Sequence, residues 1–299
     1  MRMGSLERAV GAMSQTLSIV TDSSVDLPPD EVKRAGIEVA PIQVAFSTEF
    51  FRDDALARGE FYRRLPKEPR IPVIAAAMPS DFLAAYRKAR ERSENILCLI
   101  NPFESCSTYT AAYSAAVVAK RDHQISVEVL NTGRALTALG AVCIEAAEMA
   151  SRGATLAEVV AAIEQATPQI DTYLAPATTE FLERDGRISI YEMNVGSLRG
   201  MLPLIRVWGR VAVVDKARTQ AENIEKMLAR AEQELGGSEA TVMVTHASNP
   251  AAARDLLQAA AKRLRIKRSI VTELGPSAGG YCGAATVGLG WCPGLVKLN

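Results

Sequence analysis

An arginine placed just past a glycine turn is the residue in this chain best suited to hold an anion. Residues 178–189, TTEFLERDGRIS, begin as a short helical turn and stop at Asp185-Gly186, a strong breaker pair, with Arg187, Ile188 and Ser189 following. A guanidinium fixed there presents a permanent charge and a planar fork of donors, matched to a carboxylate or a phosphate. A solvated arginine after a helix C-cap fits the same residues equally well. Ser107 and Thr108 stand where a helix is expected to start, and free backbone N–H groups there favour an anion; plain capping by Ser107 or Ser105 is the competing reading. The run Gly279-Gly280-Tyr281-Cys282-Gly283 lets backbone approach a ligand, but it matches neither a dinucleotide fingerprint nor a P-loop.

Nucleophilic and metal chemistry find less support. There are 2 histidines. His123 lies in a polar stretch, and His246 ends an apolar run with no nucleophile or orienting acid nearby in sequence. The cysteines (98, 106, 143, 282 and 292) show no CxxC or zinc spacing, and their odd number fits a reducing compartment. Asp22 ends a strand, where an Asx turn is the commoner role.

The elements that must position these residues read as α/β. Apolar runs at residues 17–21, 95–100 and 125–130 are expected strands, and residues 37–46 alternate as another. Helices are expected over residues 82–92, capped by Ser80 or Asp81, and over 108–121, 135–151 and 155–165. Alternating strands and helices predict a mostly parallel sheet in an N-terminal domain, residues 17–167. In residues 168–299 a hairpin turning at Gly209 accompanies helix-crossed strands, so a second α/β domain with a mixed sheet is expected. Residues 191–199 read as helical. In such sheets ligands gather at the carboxyl ends of strands.

Composition excludes several classes. The 299 residues include 48% hydrophobic and 23% charged, an ordinary globular balance. The formal net charge is +0 and like charges do not cluster, so no nucleic-acid partner is expected. Residues 1–16 lack an apolar core and read as a loose extension rather than a signal peptide. The longest uncharged stretch, residues 274–296, is broken by glycines and by Pro276 and Pro293. It predicts a buried strand with a glycine-rich loop, not stable membrane insertion.

Taken in order, short segments of this chain resemble the DegV family of bacterial fatty-acid-binding proteins. IVTDSSVDLP at residues 19–28 is similar to the family's IVTDSTADLP, Phe51-Arg52-Asp53 to its YRDG, and residues 78–82 follow its TSQPS segment. Ser107-Thr108-Tyr109 falls in LSGTY, and Gly186-Arg187-Ile188-Ser189 is similar to GGRIS. The resemblance covers residues 17–296. It implies the two-domain EDD fold and a cytoplasmic, non-catalytic carrier. That carrier needs no cofactor, binds a long-chain fatty acid and presents it to a fatty acid kinase subunit.

In the family, a hydroxyl of TSQPS, the serine of LSGTY, the arginine of GGRIS and a late histidine surround the lipid carboxylate. Only Arg187 matches directly. Ala76 and Ala77 fall on the threonine and serine of TSQPS, Cys106 on the serine of LSGTY, and Ser277 on the histidine; a one-residue slip gives Ser107 the role that Cys106 cannot fill. The expected site is therefore Arg187 on the carboxylate, with Ser107, Cys106 and Ser277 lining the head group and Ala76 and Ala77 as an apolar wall. Each lost neutral hydrogen bond to a carboxylate weakens binding by about 1–3 kcal/mol. A buried tail contributes about 0.8 kcal/mol per methylene, before ordering costs. Three alternatives stay open: a different lipid-like ligand, a hydrolase using Ser107 or Cys106 with His246, and an interaction protein with a vestigial pocket.

Overall fold

The computed structural model describes residues 16–47, 49–101, 107–186 and 198–296. Strands β1 (Ser18–Asp22), β2 (Glu38–Ala40), β6 (Asn95–Ile100) and β7 (Ser126–Asn131) form a parallel sheet in the order β2-β1-β6-β7. The central strands are near-continuous apolar runs because helices cover both faces. Ile19, Leu97 and Leu99 face α5 (Leu136–Ser151) and α6 (Leu156–Ala166). Val20, Ile96, Cys98 and Ile100 face α3 (Pro79–Arg90) and α4 (Thr108–His123).

Two local departures from the expected elements have clear causes. The single strand expected over residues 37–46 is broken at Pro41, which has no N–H to give to a ladder. Beyond it, β3 (Gln43–Phe46) leaves the parallel sheet and pairs antiparallel with β4 (Glu49–Arg52) and β5 (Val73–Ala75) in a separate small sheet. Helix α3 opens three residues earlier than expected, with Pro79 at its first position, and no side chain caps it. Asp81, expected as a cap, instead accepts from Arg52 Nη1 at 2.7 Å.

The mixed sheet runs in the order β10-β9-β8-β13-β11-β12. Its members are β8 (Asp171–Ala175), the hairpin β9 (Leu202–Val207) and β10 (Val211–Ala217), β11 (Ala240–His246), β12 (Ile266–Glu273) and β13 (Val287–Pro293). β11 and β12 are parallel and the other pairs antiparallel. Helices α8 (Gln220–Leu235) and α9 (Pro250–Ala261) cover one face.

Helix α5 covers the other face and so packs against both large sheets. It is buried almost all round, as its apolar sequence requires. Close approach to the mixed sheet depends on Gly290: a Cβ there would lie 2.3 Å from Thr137 Oγ1 and 2.6 Å from the backbone N of Ala138. The one acid buried in α5, Glu145, is 1% exposed. It accepts from Thr241 Oγ1 at 2.6 Å, from Lys267 Nζ at 3.0 Å and from the backbone N of Leu295 at 3.1 Å.

Candidate functional site

Adjacent parallel strands whose following helices leave on opposite faces open a crevice at their carboxyl ends. β1 and β6 are such a pair. Helix α1 (Pro29–Ala35), after β1, packs toward α5, whereas α4, after β6, lies on the far face. A cavity of about 360 Å³ occupies that switch point, a size in the range of small-molecule sites, about 300–1,000 Å³.

Its walls come from several separate parts of the chain. Asp22 and Ser24 follow β1, Asn101 follows β6, and Thr108 begins α4. Residues 71–75, which include β5, form an apolar wall with Ile42 and Val211. Asp185 stands just beyond α7 (Glu180–Arg184). The last wall is α10 (Pro276–Cys282), which presents Ser277, Gly280 and Tyr281. The loop expected at the glycine run is thus a short helix. Pro276 starts it, and Gly279 lets it approach α2 (Arg58–Arg64), where a Cβ would fall 2.4 Å from the Tyr62 hydroxyl. Tyr62 itself donates to the Leu274 carbonyl at 2.7 Å, locking α2 to the strand end before α10.

The polar groups of this cavity divide into two sets. Asp22 is internally satisfied: its carboxylate accepts from the Ser24 backbone N at 2.9 Å and from the Ser24 hydroxyl, forming the Asx turn expected at this position. Burial pushes its carboxyl above the usual range, and the two Ser24 hydrogen bonds pull it back less. Asn101 and Ser277 are not satisfied. Asn101 is 3% exposed, and neither its Oδ1 nor its Nδ2 has a hydrogen-bond partner; Ser277 Oγ is also buried without one. Buried polar atoms without partners are rare, and at a cavity wall they mark where a ligand or water completes the set.

Of the residues singled out in the sequence, Ser277 lines the cavity. Ser107 is exposed at the start of α4 and its side chain caps nothing; its neighbour Thr108 is the lining residue. Ala77 is buried in the core beneath α3 and α4, Ala76 is half-buried, and Ala75 reaches the cavity. Arg187, Ser189, Cys106 and most of the helix expected over residues 191–199 lie outside the described residues. Arg187 is two positions beyond Asp185.

His246 does not line the cavity, and its Nδ1 faces the backbone N of Asn249 at 3.3 Å, beside the start of α9. His123 is exposed. Burial pushes the thiols of Cys98, Cys143, Cys282 and Cys292 up, Cys143 to about 12, so these four are poor nucleophiles. Among the described residues no cluster of His, Cys, Asp and Glu could hold a metal, and no helix is long and apolar enough to cross a membrane.

The family model described as "uncharacterised protein, DegV family" matches residues 16–294. The chain belongs to the DegV family. A DegV domain-containing protein of Streptomyces coelicolor is 29% identical over 284 residues, covering 93% of this chain and 98% of the relative. Among solved structures, a DegV family protein from Thermus thermophilus, described by its fatty-acid binding, is 26% identical with a TM-score of 0.82, over 93% of this chain and 99% of that one. DegV of Bacillus subtilis, described as a fatty acid binding protein, shares the fold with a TM-score of 0.80 at 21% identity, over 94% and 100% of the two chains.

Placed on this fold, the opening DegV segment of residues 19–28 supplies β1 and the Asp22–Ser24 turn of the cavity. The LSGTY-like segment leads into α4, and the GGRIS-like segment begins beside Asp185. Asn101 was not singled out in the sequence. An asparagine before Pro102 reads as an ordinary turn former, and only the crossing of β1 and β6 turns it into a buried group facing a cavity.

Proposed function

We propose that this protein binds a long-chain fatty acid, or a related acyl lipid, with its head group at the β1/β6 crevice. The observation that carries this reading is the pairing of unfilled polar atoms, on Asn101 and Ser277, with an apolar wall in one cavity. An amphiphile with a single polar end matches that division. The fatty-acid binding ascribed to the 26% identical Thermus thermophilus relative supports it.

Arg187 is taken as the charge partner of the carboxylate, with Ser277 as a hydrogen-bonding neighbour and Cys106 beside the head group; Ser107, exposed at the start of α4, and Ala76 and Ala77, which do not line the cavity, are left out of the set. The chain acts as a cytoplasmic, non-catalytic carrier of two domains, residues 17–167 and 168–299. Delivery to a fatty acid kinase subunit is the finer part of the proposal. Ser277 bears on it, since a hydroxyl in place of the family's histidine leaves one fewer cation for a phosphorylated head group.

The test is a titration of delipidated protein with a fluorescent fatty acid. Arg187→Ala is expected to weaken binding more than Ser107→Ala or Ser277→Ala, because a charged hydrogen bond is worth more than a neutral one. An equal or smaller loss would remove Arg187 from the site.

A further inference from the structure

We infer that Asn101 is a specificity-determining residue of this cavity, pairing its amide with a head group that both donates and accepts a hydrogen bond. The chemical class is a primary amide. This rests on the lipid reading above and concerns which head groups that site admits.

The geometry distinguishes the two faces of the amide. Nδ2 is a donor and Oδ1 an acceptor, both are buried, and neither has a partner. An ionised carboxylate carries acceptors alone. It can take hydrogen bonds from Nδ2 and from Ser277 Oγ, but it sets lone pairs against Oδ1, which stays buried and unfilled. A –CONH2 group fills Nδ2 and Oδ1 together. An ionised acid relies on Arg187 for its charge, as proposed above, whereas an amide needs no charge partner. The cavity's described acids are Asp22 and Asp185, and no described Lys, Arg or His lines it. Asp22 is buried and held by Ser24, so it supplies no free donor in its ionised form.

Asn101 stays put because of where it sits. It directly follows β6, a central strand paired on both sides, and the Thr132 backbone N and hydroxyl both bond the carbonyl of Ile100, the residue before it. The amide is thus presented from the sheet itself rather than from a long loop.

The experiment uses the delipidated full chain and three probes of one chain length: palmitic acid, palmitamide and methyl palmitate, each competing with a fluorescent fatty acid. Wild type is expected to bind the amide within about tenfold of the acid, and the ester, which only accepts, at least about tenfold more weakly than the amide. In Asn101→Leu the amide is expected to lose at least about tenfold more affinity than the acid, and its advantage over the ester to vanish. If Asn101→Leu does not fold, the wild-type order of amide and ester decides. Acid binding with rejection of the amide would overturn this inference and leave the lipid reading standing. Equal losses of acid and amide in Asn101→Leu would also overturn it. Failure of all three probes would overturn both.

Discussion

Asn101 and Ser277 lie 176 positions apart in sequence (277 − 101) and line the same cavity, each with buried side-chain polar atoms that have no partner. One follows a central strand of the parallel sheet, and the other sits in the first turn of a helix leaving the mixed sheet. Their convergence ties the cavity to the packing of the two sheets about α5.

Ser277→Ala should separate binding from stability. Its hydroxyl has no protein partner to lose, so thermal unfolding of the ligand-free protein is expected to be unchanged or slightly raised. Affinity for a fatty acid is expected to fall at least about fivefold, the lower end of about 1–3 kcal/mol for one neutral hydrogen bond to a carboxylate. A clear loss of ligand-free stability with unchanged affinity would show that the hydroxyl serves the fold.

Asp26 predicts a pH dependence of stability. It is 4% exposed in a left-handed turn after β1, and its Oδ1 lies 3.5 Å from Arg58 Nη2, while Arg58 is held more closely by Asp53. Burial raises its carboxyl to about 7, against the pull of Arg58 and the Gly275 backbone N–H and with a push from Asp53 and Asp22. The folded form therefore holds this proton more tightly than the unfolded chain, whose carboxyl titrates near about 4. The stabilisation is complete below that value and is lost as pH rises toward about 7. Asp26→Asn should remove this share of the profile, so its stability relative to wild type should climb between about pH 4 and pH 7. Urea unfolding across that window checks it; parallel profiles would contradict it.

Lys267→Met should be strongly destabilising, on the order of 3–5 kcal/mol, because it leaves the buried Glu145 carboxylate without its cation. Replacing both partners, as Glu145→Leu with Lys267→Met, should recover much of that loss. Denaturant unfolding of the single and double variants measures it, and a double variant no better than Lys267→Met would refute the pairing.

Gly290→Ala should cost about 1–3 kcal/mol through overpacking. The added methyl meets the backbone N of Ala138 at 2.6 Å, and a helix packed between two sheets cannot shift freely. An unchanged melting temperature would mean that α5 moves aside at little cost.

The parts of the fold legible in the sequence are those where one local pattern decides the outcome. The run at residues 95–100 could only be a buried strand, and Asn249-Pro250 does open α9, with the Asn249 side chain accepting from the Ala252 N at 3.2 Å. The mixed character of the second sheet followed from the hairpin at Gly209. Where tertiary contacts decide, local patterns mislead. Residues 37–46 alternate as one strand, yet Pro41 sends their two halves into different sheets. Gly279 and Gly280 look like a loop, yet they lie in a helix, and Gly279 lets that helix lie against Tyr62. Parts of the cavity were legible as strand ends and helix starts, at Asp22, Ser24, Thr108 and Ser277. Asn101 was not, because nothing beside it in sequence says that its amide is buried and unpartnered.

Native mass spectrometry of the freshly purified protein, with extraction of whatever it carries, tests lipid binding most directly. The expected result is a mass increment that extracts as a long-chain acyl lipid, reduced in Arg187→Ala. A bare mass that stays bare after incubation with several fatty acids and with palmitamide would contradict lipid binding at the β1/β6 crevice.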